Sequence, residues 1–336
     1  MALPRLDHTT RGLGPHVWHA GSHKTHRHGI AVEELPVFFR GEAFDDGGSG
    51  TRERDMAGQV VALDTKREQL LAMMRGYGSC AVAFSAGVDS TVLAKAAALT
   101  LGPRAVAVTG ISPSLAESEL RQARALAKQI GIPHVEIETN ELDQPGYVNN
   151  APDRCYHCKS ALYRTIHAIR DQLDVAVIVN GNNADDLDDY RPGSRAAEQQ
   201  QVASPLAACG LTKDDVRRLA RAWKLPIWDK PAAPCLSSRI AYGQRVTPER
   251  LAMIERAEQY LRQLGCAIVR VRYHEGDLAR LEVPLDDVAR LTDPTTRRGL
   301  VEYFTKLGFK FVTLDLAGFR SGSLNVFITE QQLKQV

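Results

Sequence analysis

The feature that most constrains this chain is a short apolar run, Cys80 to Phe84, that leads directly into Ser85-Ala86-Gly87-Val88-Asp89-Ser90 and then into a stretch with helical spacing, Val88 to Leu101. The apolar run suits a strand buried at the centre of a parallel sheet. A strand followed at once by a tight turn and a helix makes the unpaired amides of the helix's first turn converge on one point. An anion is favoured there, because those amides and the positive end of the helix dipole both attract negative charge. Ser85, Gly87 and Ser90 are therefore expected to cradle phosphate, and Asp89 to hold a metal ion or position a phosphate through it. The loop is not a Walker A loop, since Val88-Asp89 stands where a lysine would follow the closing glycine. It suits a nucleotide gripped for release of pyrophosphate rather than for transfer of its terminal phosphoryl group.

The alternation continues downstream. Strands are expected at Ala105–Gly110, His134–Thr139 and Val175–Val179, with helices at Gln59–Tyr77, Leu115–Ile130 and Lys159–Leu173. Ser114 and Glu117 read as a capping box for the second of these helices, closed by Gly131. Such a pattern predicts an α/β fold with a doubly wound parallel sheet, whose ligand lies at the carboxyl ends of the strands. Thr109 is expected near the adenosine of ATP and Gly181 beside the nucleotide. The loop NGNNADDLDDYRPG carries Asp185, Asp186, Asp188 and Asp189 just past a buried strand, placed to hold Mg²⁺ against a triphosphate, with Asp185 as the expected partner. A helix over Lys213–Trp223, capped by Thr212 with Asp215, then leads into the proline-stiffened loop WDKPAAPCLSSRI.

The expected division is a flexible leader over residues 1–56, an ATP-binding domain over 57–240 and a smaller α+β domain over 241–336. The leader holds six of the ten histidines, irregularly spaced, and reads as an extension rather than a metal site. In the last part, Thr247 caps a helix running from Pro248 to Leu264. Strands follow at 267–274 and 278–284, then a helix over 294–307 and a strand over 309–314. Alternation along AIVRVRYH puts Arg270 and Arg272 on one face. Their forked guanidiniums suit a substrate phosphate, with Ser238, Arg239 and Glu258 lining the same cleft.

No apolar run is long enough to span a bilayer and the N-terminus lacks an apolar signal region, so a cytoplasmic protein is expected. The net charge of +2 argues against a nucleic-acid partner. Six cysteines in such a chain read as thiols or metal ligands rather than disulfides. Cys155, Cys158 and Cys235 could hold three irons of a 4Fe-4S cluster and leave the fourth open. Zinc is the alternative, although His157 inside the C-x-x-C turn is poorly placed to complete a tetrahedron. Cys80, Cys209 and Cys266 read as small buried hydrophobes.

SAGVDS resembles the SGGxDS signature of the PP-loop ATP pyrophosphatases, with Ala86 where glycine is usual. Taken with PDRCYHCK, NGNNADDLDDYRPG, WDKPAAPCLSSRI and VRVRYHEGDLARLEV, in that order, the chain from about Val60 onward resembles the LarE sulfur transferases. That resemblance implies adenylylation of the carboxylates of pyridinium-3,5-biscarboxylic acid mononucleotide and their conversion to thiocarboxylates, on the route to a nickel-pincer nucleotide. It also implies a homo-oligomer acting on this small-molecule nucleotide. Members with only the cysteine of CLSSR are implied to give up its sulfur, whereas members with all three resemble cluster-bearing forms. A cluster-dependent tRNA thiolase and a non-catalytic adenine-nucleotide sensor are the alternatives.

Overall fold

The computed structural model describes residues 49–186, 192–320 and 322–324, and the architecture below belongs to the compact unit Arg52–Val336. The leader histidines, Asp188 and Asp189 lie outside the described residues.

Helix α1 (Ser49–Gly76) opens ten residues before the expected start and leads into β1 (Cys80–Ala83). After the Ser85 loop come α2 (Val88–Leu101), β2 (Ala105–Ile111), α3 (Glu117–Ile130), β3 (His134–Glu138), the single turn α4 (Pro145–Val148), α5 (Arg154–Ala168) and β4 (Val177–Val179). The four strands are all parallel, in the order β3-β2-β1-β4, and Cys80 is in register with Ala105 on one side and Val177 on the other. This is the expected doubly wound α/β sheet. Because side chains alternate along a strand, Cys80 and Val82 pack in one core with α2 and α3, while Ala81 packs on the opposite face with Tyr163 and Ile166 of α5. Burial on both faces is why β1, β2 and β4 read as apolar runs, whereas the edge strand β3 carries Glu136 and Glu138.

Helices α6 (Pro192–Gln199), α7 (Pro205–Ala208) and α8 (Lys213–Ala222) complete this layer. The expected capping box of α8 is formed: Thr212 Oγ1 accepts from the Asp215 amide and Asp215 accepts from the Thr212 amide. The capping box expected for α3 is not. That helix starts at Glu117, with no side-chain cap on Ala116. Ser114 Oγ is occupied instead by Ser112 and Glu141, and the Glu117 amide donates to Glu255 at 2.6 Å.

The C-terminal part comprises α9 (Pro248–Gln263), β5 (Arg270–His274), β6 (Leu278–Glu282), α10 (Leu285–Thr292), α11 (Pro294–Leu307) and β7 (Phe311–Leu314). β5 and β6 are antiparallel and β6 and β7 parallel, giving a separate three-stranded sheet. Its core includes Tyr147 of α4 and Leu236 and Ile240 beside Cys235. The cysteine loop is thus anchored in the second core while it faces the first. No helix among the described residues is long and apolar enough to cross a membrane.

Candidate active site

The phosphate loop is preassembled by its own hydroxyls. Ser90 Oγ lies 3.2 Å from Ser85 Oγ and donates to the Gly87 carbonyl, which also accepts from Thr91 Oγ1 at 2.7 Å. Gly87 is the N-cap of α2 with an ordinary negative φ. The left-handed residue is Ala86, at φ +57° and fully buried. Lys230, from the WDKP string, pins this loop from behind, donating to Glu119 at 2.7 Å, to Gln122 and to the Ala86 carbonyl.

Asp89 projects from the first turn of α2 and is held from both sides, by the ammonium of Lys213 and by Asn183 Nδ2 at 3.1 Å. Gly181 sits where β4 runs against the start of α2, and a Cβ there would lie 2.7 Å from the Ser90 amide nitrogen. A side chain would push apart the two segments that form the phosphate site. Asp185 turns its carboxylate to the Lys213 amide at the start of α8, whereas its neighbour Asp186 lines the central cavity. Asp89 and Asp186 both border this cavity, and Asp186 Oδ2 accepts from the Asn183 amide at 2.9 Å.

That central cavity, of about 330 Å³, lies at the carboxyl ends of the parallel strands, and its walls include Ser85, Asp89, Ser90, Thr109, Gly181, Cys158 and Cys235. Thr109 is inward and committed: its hydroxyl donates to the Phe84 carbonyl and pairs with His134 Nε2, each at 2.8 Å. Burial holds His134 below the usual imidazole range.

The C-x-x-C forms the first turn of α5, five residues earlier than the expected helix start, because the inward side chain of that turn is not apolar but Arg154. Arg154 is buried and donates to Asn150 Oδ1 and, at 2.9 Å, to the Ser237 carbonyl. Burial opposes its charge, yet the neighbouring thiols of Cys235 and Cys155 raise its pKa, so one guanidinium serves both cysteine segments. Cys155 is exposed, and Cys158 and Cys235 are partly buried. Burial, reinforced by Cys235 and Glu141, pushes the Cys158 thiol well above its ordinary range. Burial likewise pushes the Tyr147 phenol up. His157 is turned to Asp153 at 3.1 Å and packs over Gly146. Among the described residues, no three His, Cys, Asp or Glu side chains stand grouped as a metal site.

Cys235 also borders a smaller cavity of about 170 Å³ with Ser85, Arg239, Glu258 and Arg262. Several expected substrate residues are also tied into the surrounding structure by ion pairs. Arg239 wraps the cysteine loop, donating to the carbonyls of Pro234 and Cys235 and to Ser238 Oγ. Glu258 is buried and fully used, accepting from Arg239 Nε at 2.9 Å, Arg262 at 2.9 Å and the Val271 amide at 3.2 Å. Arg272 pairs with Glu282 at 2.9 Å and reaches Ser323 and the Ser238 carbonyl. Arg270 has no carboxylate within salt-bridge distance among the described residues. It donates to the Val269 carbonyl and lies over the Phe319 ring. Burial, followed by repulsion from Arg239, brings its pKa down to about 10. It lines a third cavity, of about 220 Å³, with Arg154, Ser238, Tyr242 and Arg272. Arg154, Glu141, Lys213 and Tyr147 were not anticipated. Only the position of Arg154, directly before the C-x-x-C, offered a signal.

Residues 67–226 match the asparagine synthase family. An uncharacterized protein of Synechocystis is 44% identical over 268 residues, spanning 80% of this chain and all of that protein. The pyridinium-3,5-bisthiocarboxylic acid mononucleotide synthase of Lactiplantibacillus plantarum is 36% identical over 278 residues, spanning 82% of this chain and 99% of that enzyme. The tRNA-specific 2-thiouridylase of Rickettsia felis is 28% identical over 188 residues, 45% of this chain.

Proposed function

Since the chain belongs to the LarE family of PP-loop, ATP-using synthases, we propose that it adenylylates the carboxylates of pyridinium-3,5-biscarboxylic acid mononucleotide and converts them to thiocarboxylates. The observation that carries this reading is the wall held by Cys235, with the phosphate loop and Asp89 on the cavity to one side and Ser85, Arg239 and Arg262 around the cavity to the other.

A carboxylate is a poor electrophile until a leaving group is attached. Its oxygen attacks the α-phosphorus of ATP, pyrophosphate departs, and the resulting acyl-adenylate loses AMP to a sulfur nucleophile. The α2 amides, Ser85 and Ser90 stabilise the charge that collects on the leaving phosphates. Lys213, beside Asp89, supplies the cation that the loop's own sequence lacks, and Mg²⁺ would be held by Asp89 and Asp186. Asp185 keeps the start of α8 in place behind them. Arg270 holds the substrate phosphate, because an anion would relieve the repulsion from Arg239.

Cys155, Cys158 and Cys235 are the proposed ligands of a 4Fe-4S cluster, and the Arg154 guanidinium, which interacts electrostatically with each of these thiols, would offset the charge of thiolate ligands. When bound to Cys155, Cys158 and Cys235, such a cluster would supply an inorganic sulfide as nucleophile. We place the protein in the cytoplasm as a homo-oligomer. A tRNA substrate has weaker support, because the thiouridylase likeness covers under half of the chain and the net charge is only +2. The test is substrate-dependent pyrophosphate release: Asp89→Ala should abolish it, and normal release by that variant would overturn the reading.

A further inference from the structure

Glu141 has no part in the chemistry above. It lies three residues beyond β3, is 1% exposed, and lines the central cavity. Its Oε1 accepts from Ser114 Oγ at 3.1 Å, and Ser114 Oγ is 2.8 Å from Ser112 Oγ, so one carboxylate oxygen is fixed by a hydroxyl pair on the segment after β2. Its Oε2 is buried and lacks a hydrogen-bond partner. A carboxylate oxygen removed from water without a donor is costly, so its retention points to a donor that arrives with a ligand.

The layout of the sheet narrows what that donor is. In the order β3-β2-β1-β4, the phosphate loop follows β1, Thr109 and Gly110 lie in the last three residues of β2, and Glu141 stands past β3. A nucleotide with its phosphates on the Ser85 loop and its nucleoside across the end of β2 brings its sugar towards Glu141. In doubly wound sheets an acidic side chain near a strand's carboxyl end is a recurrent acceptor for ribose hydroxyls. Resting on the ATP site proposed above, we infer that Glu141 Oε2 accepts a hydrogen bond from a ribose hydroxyl of a nucleotide in this cavity. Two nucleotides offer one, ATP and the mononucleotide substrate.

The test measures calorimetric Kd values for ATP, 2′-deoxy-ATP and 3′-deoxy-ATP with wild type, Glu141→Ala and Glu141→Gln, together with the KM for the mononucleotide. If ATP supplies the hydroxyl, Glu141→Ala weakens ATP binding by about ten- to a hundred-fold, the usual worth of a hydrogen bond to a charged group. One deoxy analogue then loses the same factor on wild type and nothing more on the variant. If the substrate supplies it, ATP binding is unchanged and the KM rises by that factor. Glu141→Gln without ligand should unfold at or above the wild-type temperature, because it replaces a buried carboxylate whose Oε2 has no donor. A lowered Tm with unchanged Kd and KM would show a structural carboxylate and overturn the inference. Failure of the wild type to bind ATP would overturn the proposed function as well, whereas intact wild-type binding with indifferent variants overturns the ribose contact alone.

Discussion

Ala86 occupies a position where its neighbours demand a left-handed backbone. At φ +57° an L-residue bears about 1–2 kcal/mol of steric strain, which glycine would not. Two terms oppose its replacement. The Ala86 methyl is fully buried in the core beside Phe84 and Val88, worth about 0.8 kcal/mol, and glycine gives the unfolded chain about 0.4–1 kcal/mol of additional freedom. The terms nearly cancel, so Ala86→Gly should change unfolding free energy by less than about 1 kcal/mol, read as the denaturant midpoint. A larger shift in either direction would mean that the loop backbone is held differently. The departure from SGGxDS is therefore absorbed by the fold. The sequence shows only alanine where glycine is usual, because a left-handed alanine has no signature in residue order.

At the scale of elements, the sequence carried most of the sheet and part of the site. The strands were legible because both faces of the sheet are covered, and α2, α8, α9 and α11 were legible through their caps or apolar periodicity. Reading failed where polar side chains replace that pattern. The start of α5 was hidden because Arg154 supplies its buried contact. α10 was missed altogether, with Leu291 as its one fully buried residue. Arg239, Glu258 and Arg272, expected from the sequence at the substrate, border cavities and also join α9, β5 and β6 to the cysteine loop. Charged residues in a motif look alike in sequence whether they meet a ligand or one another. Glu258 makes this measurable. It is 1% exposed, and removing it leaves Arg239 buried and uncompensated, a loss of about 3–5 kcal/mol. Glu258→Ala should therefore lower the unfolding free energy by that amount, measured by denaturant titration. Wild-type stability with a raised substrate KM would return Glu258 to the substrate.

For the whole molecule, the decisive feature is that the cysteine loop is packed into the C-terminal core and hydrogen-bonded to the segments around the parallel sheet. Leu236 and Ile240 anchor it in the C-terminal core, the Leu236 amide donates to the Ser114 carbonyl after β2, and Lys230 at its start holds the phosphate loop. Cys235 is thereby kept on the wall of the central cavity, where Cys158 also stands, while Cys155 is exposed on the same turn of α5. If Cys235 gave up its own sulfur, Cys155 and Cys158 could be lost without effect. If the three act together on sulfide, none is dispensable. Cys158 is a weak nucleophile by itself, because burial first, and then Cys235 and Glu141, keep its thiol protonated at neutral pH. We therefore expect Cys155→Ala, Cys158→Ala and Cys235→Ala, each reconstituted anaerobically with iron and sulfide, to lose repeated thiolation, while the wild type completes several turnovers and retains all six cysteines by mass. Activity in the first two variants, accompanied by conversion of Cys235 to dehydroalanine in the wild type at one sulfur per product thiocarboxylate, would establish the sacrificial route instead.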